Sequence, residues 1–157
     1  MRKRMIPEVR HTALPPEQDW LNVDDLAEVE VTSEDPAHPI ESALLAGGGP
    51  GWRAAEPGTQ TIRLLFDRPQ RLRWIRVDFL EPDVERTQEY VLRWSPDGGK
   101  SFRDIVRQQW NFSPGGGSSE REDHRVDLTG VTVLELSIKP DIGSERAFAT
   151  LARMRIA

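Results

Sequence analysis

The sequence predicts an all-β domain built as an antiparallel β-sandwich, and three observations carry that prediction. Apolar and polar residues alternate over several short stretches, turns rich in proline and glycine separate them, and little of the chain has helical period. Strands with one apolar face belong to antiparallel sheet, whereas buried parallel strands read as continuous apolar runs.

Taken in order, residues 1–19 read as an arm, polar and interrupted by Pro7, Pro15 and Pro16. Trp20 and Leu21 are expected to tie it to a single domain over 20–157. Val29 and Val31 alternate with Glu28, Glu30 and Thr32 as a first, half-buried strand. Residues 33–51 form a long loop with Pro36, Pro39, Pro50 and three glycines at 47–49, and one helical turn is expected within it over 40–45. Ile62, Leu64 and Phe66 mark the next strand, which Asp67-Arg68-Pro69 is expected to break. Ile75, Val77 and Phe79 mark another, and Tyr90, Leu92 and Trp94 a third.

Ser95-Pro96-Asp97-Gly98-Gly99 is a strong turn signal, with proline at its second position and glycine where a left-handed residue is needed. It predicts a hairpin to a strand over 102–106. A flexible loop over 113–119 follows, then strands over 125–128, 133–138 and 151–156.

Hydrophobic residues make up 37% of the chain and charged residues 30%, which suits a globular domain. The formal charge of −5 argues against a nucleic-acid partner, which needs a concentrated basic face. No apolar run is long enough to span a membrane. With no cysteine, disulfides and thiolate metal sites are excluded. The basic start at 1–5 meets Glu8, Arg10 and His11 instead of an apolar segment, so the expected location is cytoplasmic.

The order of motifs resembles the discoidin family, also called the coagulation-factor type C or galactose-binding-like domain. Val31-Thr32-Ser33-Glu34-Asp35 is similar to the family's opening strand and loop, and Gly51-Trp52-Arg53-Ala54 to its tryptophan after a glycine-bearing loop. The strands from Gln60 to Phe66 and from Leu72 to Phe79, and Tyr90–Ser95 before Asp97-Gly98, resemble its central strands and hairpin. The likeness covers residues 27–157. The terminal cysteines of secreted members are missing, and Gln60 or Thr61 stands where the family usually has a tryptophan. The resemblance implies a jelly-roll sandwich with a ligand site on loops at one end, here 35–41, 47–53 and 81–87. It also implies a structural calcium held largely by backbone carbonyls, whose ligands are not legible in the sequence.

Within those loops, Arg53 and Arg86 supply bidentate donors for vicinal hydroxyls or a carboxylate, and His38 and Glu41 are candidate partners. Arg86 has a plainer reading as a surface partner of Glu81 or Glu85. Trp52 is a candidate stacking face for a sugar, against a structural role closing the sandwich end. Trp110, among amides in Gln108-Gln109-Trp110-Asn111, is a further ligand candidate. Trp94 reads as core, and Trp74 as a polar-face residue covered by the arm or a partner.

Other chemistry is thin. Gly99-Lys100-Ser101 lacks both the earlier glycine and the helix of a phosphate-binding loop. His11, His38 and His124 show no metal-ligand spacing. Glu81–Glu85 and Glu120–Asp123 are rich in oxygen ligands but read more simply as solvated charge. No catalytic constellation is legible, and the chain is expected to be a binding module rather than an enzyme. Its expected ligand is a carbohydrate or small polar molecule. The alternative is an intracellular protein-interaction domain of a larger assembly.

Overall fold

The computed structural model describes residues 1–5 and 19–157, so most of the expected 1–19 arm, His11 included, lies outside the described residues. The elements are α1 (Val23–Leu26), β1 (Ala27–Val31), α2 (Glu41–Leu44), β2 (Trp52–Arg53), β3 (Gln60–Leu80), β4 (Arg86–Ser95), β5 (Arg103–Phe112), β6 (Ser119–Lys139), β7 (Thr150–Leu151) and β8 (Arg153–Ile156). The prediction of an antiparallel β-sandwich holds: every strand pairing is antiparallel.

Two strands differ from expectation in an instructive way. Asp67-Arg68-Pro69 bends β3 instead of ending it, and the separate strands expected over 125–128 and 133–138 are both parts of β6. Each runs for 21 residues, beyond the usual strand length. The β3–β6 register shifts between Leu65 and Gln70, again before Leu72 and again before Trp74. A proline without an N–H and an irregular ladder are what a sharp bend requires.

Because of those bends, β3 and β6 each belong to two layers. Their first and last parts respectively, 60–65 and 133–138, pair with each other and lie between β1 on one side and β4–β5 on the other. Beyond the bend, 74–80 of β3 pairs with 119–125 of β6 on one edge and with β8 on the other. The layers face each other: the Phe79 and Tyr90 rings, from opposite layers, lie 5.2 Å apart.

Alternation decides what fills the space between. Ile62, Leu64, Tyr90, Leu92, Leu136 and Ile138 come from the first layer, and Ile75, Val77, Phe79, Met154 and Ile156 from the second, each at most 2% exposed. Burying each such side chain contributes about 1.5–3 kcal/mol. Outward residues form ion pairs instead. Glu135, 2% exposed, accepts from Arg63 Nε at 2.8 Å and Arg93 Nη2 at 2.6 Å. On the other outer face Asp123 Oδ1 accepts from Trp74 Nε1 at 3.0 Å and Arg76 Nε at 2.7 Å. Burial raises the Asp123 carboxyl, but those bonds outweigh it and hold the group below its ordinary value.

The tyrosine-strand hairpin forms as predicted. Ser95 Oγ accepts from Gly99 N at 2.8 Å, while Gly98 and Gly99 take φ of 74° and 92°. The helical turn expected over 40–45 is α2, stopped where Arg155 donates to Leu44 O at 2.8 Å and Leu45 O at 2.9 Å. Trp20 lies with the Arg76 guanidinium 5.1 Å from its ring centroid, and Leu21 N donates to Ile156 O.

Candidate functional site

The bends bring several connections to one end of the sandwich: 32–51, 54–59, 81–85, 113–118 and 140–149. They are laced together there. Glu81 N donates to Ser118 O at 2.7 Å, Ile142 N to Thr87 O at 2.8 Å and Gly58 N to Ala147 O at 2.9 Å. The three loops that the resemblance singled out, 35–41, 47–53 and 81–87, all lie at this end.

The first loop is built around Ser33 and Asp35. Ser33 Oγ donates to Gln60 Oε1 at 2.7 Å and accepts from Ala55 N at 3.0 Å. Asp35 closes a tight turn by accepting from Ala37 N through Oδ1 and from His38 N through its carbonyl. Arg53 on β2 clamps that turn, receiving Asp35 N on its carbonyl at 2.8 Å and donating its own N–H to His38 O at 3.2 Å. His38 and Arg53, 15 positions apart in the numbering, are thereby neighbours.

Their side chains have spare capacity. His38 Nδ1 is buried, lies 3.6 Å from Asp35 Oδ2 and has no hydrogen-bond partner among the described residues, so it is the rest of the half-exposed ring that can meet a ligand. The guanidinium of half-buried Arg53 lies 5.0 Å from the Phe148 ring centroid and, among the described residues, enters no ion pair or side-chain hydrogen bond. Phe148 was not legible as a site residue, because no periodicity surrounds it. Pairing of β2 with β7, and Ala54 N donating to Ala149 O, bring it to Arg53. Glu41, exposed in the first turn of α2, lines a different cleft of about 230 Å³ with Val23, Asp24, Ile40 and Leu44.

Two expectations are corrected. Trp52 is 1% exposed and its Nε1 donates to Ser33 O at 3.0 Å, so the core takes the ring and leaves no face for a sugar. Gly51 lets it in: at φ 84°, a Cβ there would stand 2.7 Å from Leu151 O. Arg86 pairs with Glu81, as its plainer reading held, but in the interior rather than at the surface, which removes it as a ligand-facing donor. Its side chain is 1% exposed, and its Nε donates to Glu81 Oε1 at 2.9 Å. Nη1 donates to Pro140 O at 2.7 Å and to Gln88 Oε1 at 3.3 Å, Nη2 to Thr150 Oγ1 at 3.4 Å, and the Phe112 centroid lies 4.6 Å away. Trp110, opposite Gln88, is half-buried with Nε1 donating to Gly117 O at 3.2 Å. Of the site candidates, His38 and Arg53 are brought together, Arg86 and Trp110 lie on the paired strands β4 and β5, and Glu41 stands apart.

A larger open cleft of about 570 Å³ lies by the end of β3 and the start of β6, lined in part by Gly49, Asp78, Leu80, Arg121 and Arg153. Leu80 is 51% exposed there, and Arg121 pairs with Asp78. Between the layers, Glu120 is 3% exposed, and among the described residues neither carboxylate oxygen is hydrogen-bonded. Burial first, then the charge of Glu122, pushes it up to about 7. Gln88 Nε2, also buried, stands outside good hydrogen-bond geometry and eases it only slightly.

No protein-family model matches the chain, and no curated protein matches it. Solved structures do. The family 32 carbohydrate-binding module of C. perfringens NanJ, in complex with galactose, is 12% identical over 87% of this chain and 96% of its own, at a TM-score of 0.63. A Clostridium perfringens family 32 module in complex with GalNAc-β-1,3-galactose is 21% identical over 88% and 99%, at 0.60. A pectin-binding carbohydrate-binding module is 15% identical over 83% and 89%, at 0.61. At such identities likeness speaks to architecture, and the architecture of this chain is the discoidin, or galactose-binding-like, β-sandwich fold.

Proposed function

We propose that this chain is a non-catalytic carbohydrate-binding module that takes a glycan or small polar ligand at the loop end of the sandwich. The observation that carries the reading is the Arg53 guanidinium, stacked on Phe148 beside the His38 turn and without a carboxylate partner among the described residues. Guanidinium N–H groups and an imidazole suit sugar hydroxyls, and the guanidinium also suits a uronate carboxylate. Structural neighbours in complex with galactose and GalNAc-β-1,3-galactose support the same reading, as does a pectin-binding one. Trp110, packed against the core beside the 113–118 loop, and Glu41, in a separate cleft, stand apart from the Arg53–His38 contacts on which this reading rests.

The test is a glycan array spanning neutral galactosides and uronate-containing chains, run with the parent, Arg53→Ala and His38→Ala. Selective binding by the parent that is lost in variants of unchanged melting temperature supports the reading. Absence of any binding by the folded parent sinks it.

A protein partner is the second reading, favoured by apolar side chains exposed at the same end: Leu80, which ends β3, and Val84 at 51% each and Ile142 at 44%. A single protein that co-purifies with the parent, and is lost with Leu80→Ser/Val84→Ser, would favour it over the glycan.

A further inference from the structure

The calcium that the fold family implies does not fit the residues at the loop end. Among the described residues no three carboxylate or imidazole groups gather as a cation site. Calcium takes six to eight oxygens, from carboxylates or backbone carbonyls, so carbonyls already engaged by a guanidinium are closed to it as well. Among the described residues, oxygens converge on a cation where a guanidinium already stands: Arg155 takes the Leu44 and Leu45 carbonyls, and Arg86 donates to Glu81 Oε1, Gln88 Oε1, the Pro140 carbonyl and Thr150 Oγ1.

We propose that Arg86 is itself the structural cation of this loop end, and that the domain folds and holds its loops without a divalent ion. Charge supports it, since the cage contains one carboxylate, Glu81, which balances one guanidinium and would leave a divalent ion half neutralised. Shape supports it as well. A guanidinium is a planar fork of donors, and here three nitrogens point at oxygens in their directions while the Phe112 ring stands 4.6 Å from the guanidinium carbon. Burial makes the arrangement obligatory, with the side chains of Arg86 and Glu81 only 1% and 12% exposed. Partners come from the 81–85 loop, β4, the exit of β6 and β7, while Phe112 ends β5. One side chain thus joins the connections that frame the site. Where the glycan reading holds, and resting on it, binding is independent of calcium.

Melting temperatures of the full chain test this without any ligand, so failure of the glycan reading and failure of this proposal are distinguishable. The parent is expected to melt within about 1 °C in chelator and in millimolar calcium, because a bound ion would raise the midpoint by mass action. Arg86→Ala is expected to melt roughly 10 °C lower, since it strands a buried carboxylate and the Gln88 amide oxygen. A calcium-dependent rise of several degrees in the parent overturns the proposal, as does an Arg86→Ala protein that melts with the parent. Should Arg86→Ala yield no folded protein, Arg86→Lys decides. An ammonium reaches fewer of the four oxygens, so a midpoint several degrees lower supports the guanidinium cage, and an unchanged one overturns it.

Discussion

The Tyr90 hydroxyl meets His124 Nε2 at 2.8 Å, joining β4 of one layer to β6 of the other through the interior of the sandwich. Tyr90 is fully buried, and burial first, helped by Glu120 and Glu122, raises its phenol well above the ordinary value. Burial lowers His124, against smaller opposing effects of Glu122 and Asp123, so the ring is neutral at pH 7. Tyr90→Phe therefore removes one neutral interlayer hydrogen bond and leaves an imidazole nitrogen without its partner. Denaturant titration is expected to show a loss of about 1–2 kcal/mol at neutral pH.

Glu120 and His124 share the inner face of β6 and act on stability with opposite sign. A carboxyl raised from 4.5 to about 7 contributes stability that is complete below pH 4.5 and is lost as pH rises through about 7. A lowered imidazole contributes stability present above its unfolded value of 6.5 and lost as pH falls through its folded value. Glu120→Gln keeps the shape and removes the first effect. Its unfolding free energy is expected to exceed the parent's above pH 7 by on the order of 3 kcal/mol, with the advantage shrinking toward pH 4.5. Parallel unfolding curves across that window would refute the assignment.

At Gly51 the predicted effect is steric. Ala there meets Leu151 O at 2.7 Å and Ala152 Cα at 2.9 Å, at a φ that side chains avoid. Gly51→Ala is expected to destabilise the domain by at least about 1 kcal/mol, and to shift the near-ultraviolet signal of buried Trp52. A thermal midpoint and spectrum matching the parent would contradict the close approach of β2 to β7.

Arg53 separates binding from folding. Its guanidinium has no ion-pair partner among the described residues, so Arg53→Ala forfeits chiefly the contact with Phe148. We expect a change under about 1 kcal/mol in stability and roughly a tenfold loss in affinity for a glycan that binds the parent. Titration calorimetry beside thermal melts reads both. Loss of stability with affinity preserved would move Arg53 from the site to the scaffold.

Much of this molecule was determined by sequence alone. The alternation of Ile62–Phe66, Ile75–Phe79 and Tyr90–Trp94 marked the faces that the structure buries, because side-chain direction along a strand is a local property. The Ser95–Gly99 turn was equally local. Residues 67–69 were legible as a break but not as a bend, since only the pairing of β3 with β6 keeps the chain extended through it. Trp52 and Arg86 were legible as unusual residues on loops, and only tertiary structure decided their roles. Arg86 is committed by Pro140 and Thr150, 54 and 64 positions away, and Trp52 by Ser33, 19 positions away. The Phe148 ring reaches Arg53 by the same long-range route. Periodicity reports which way a side chain points, whereas what it meets depends on oxygens and rings that the fold delivers from elsewhere in the chain.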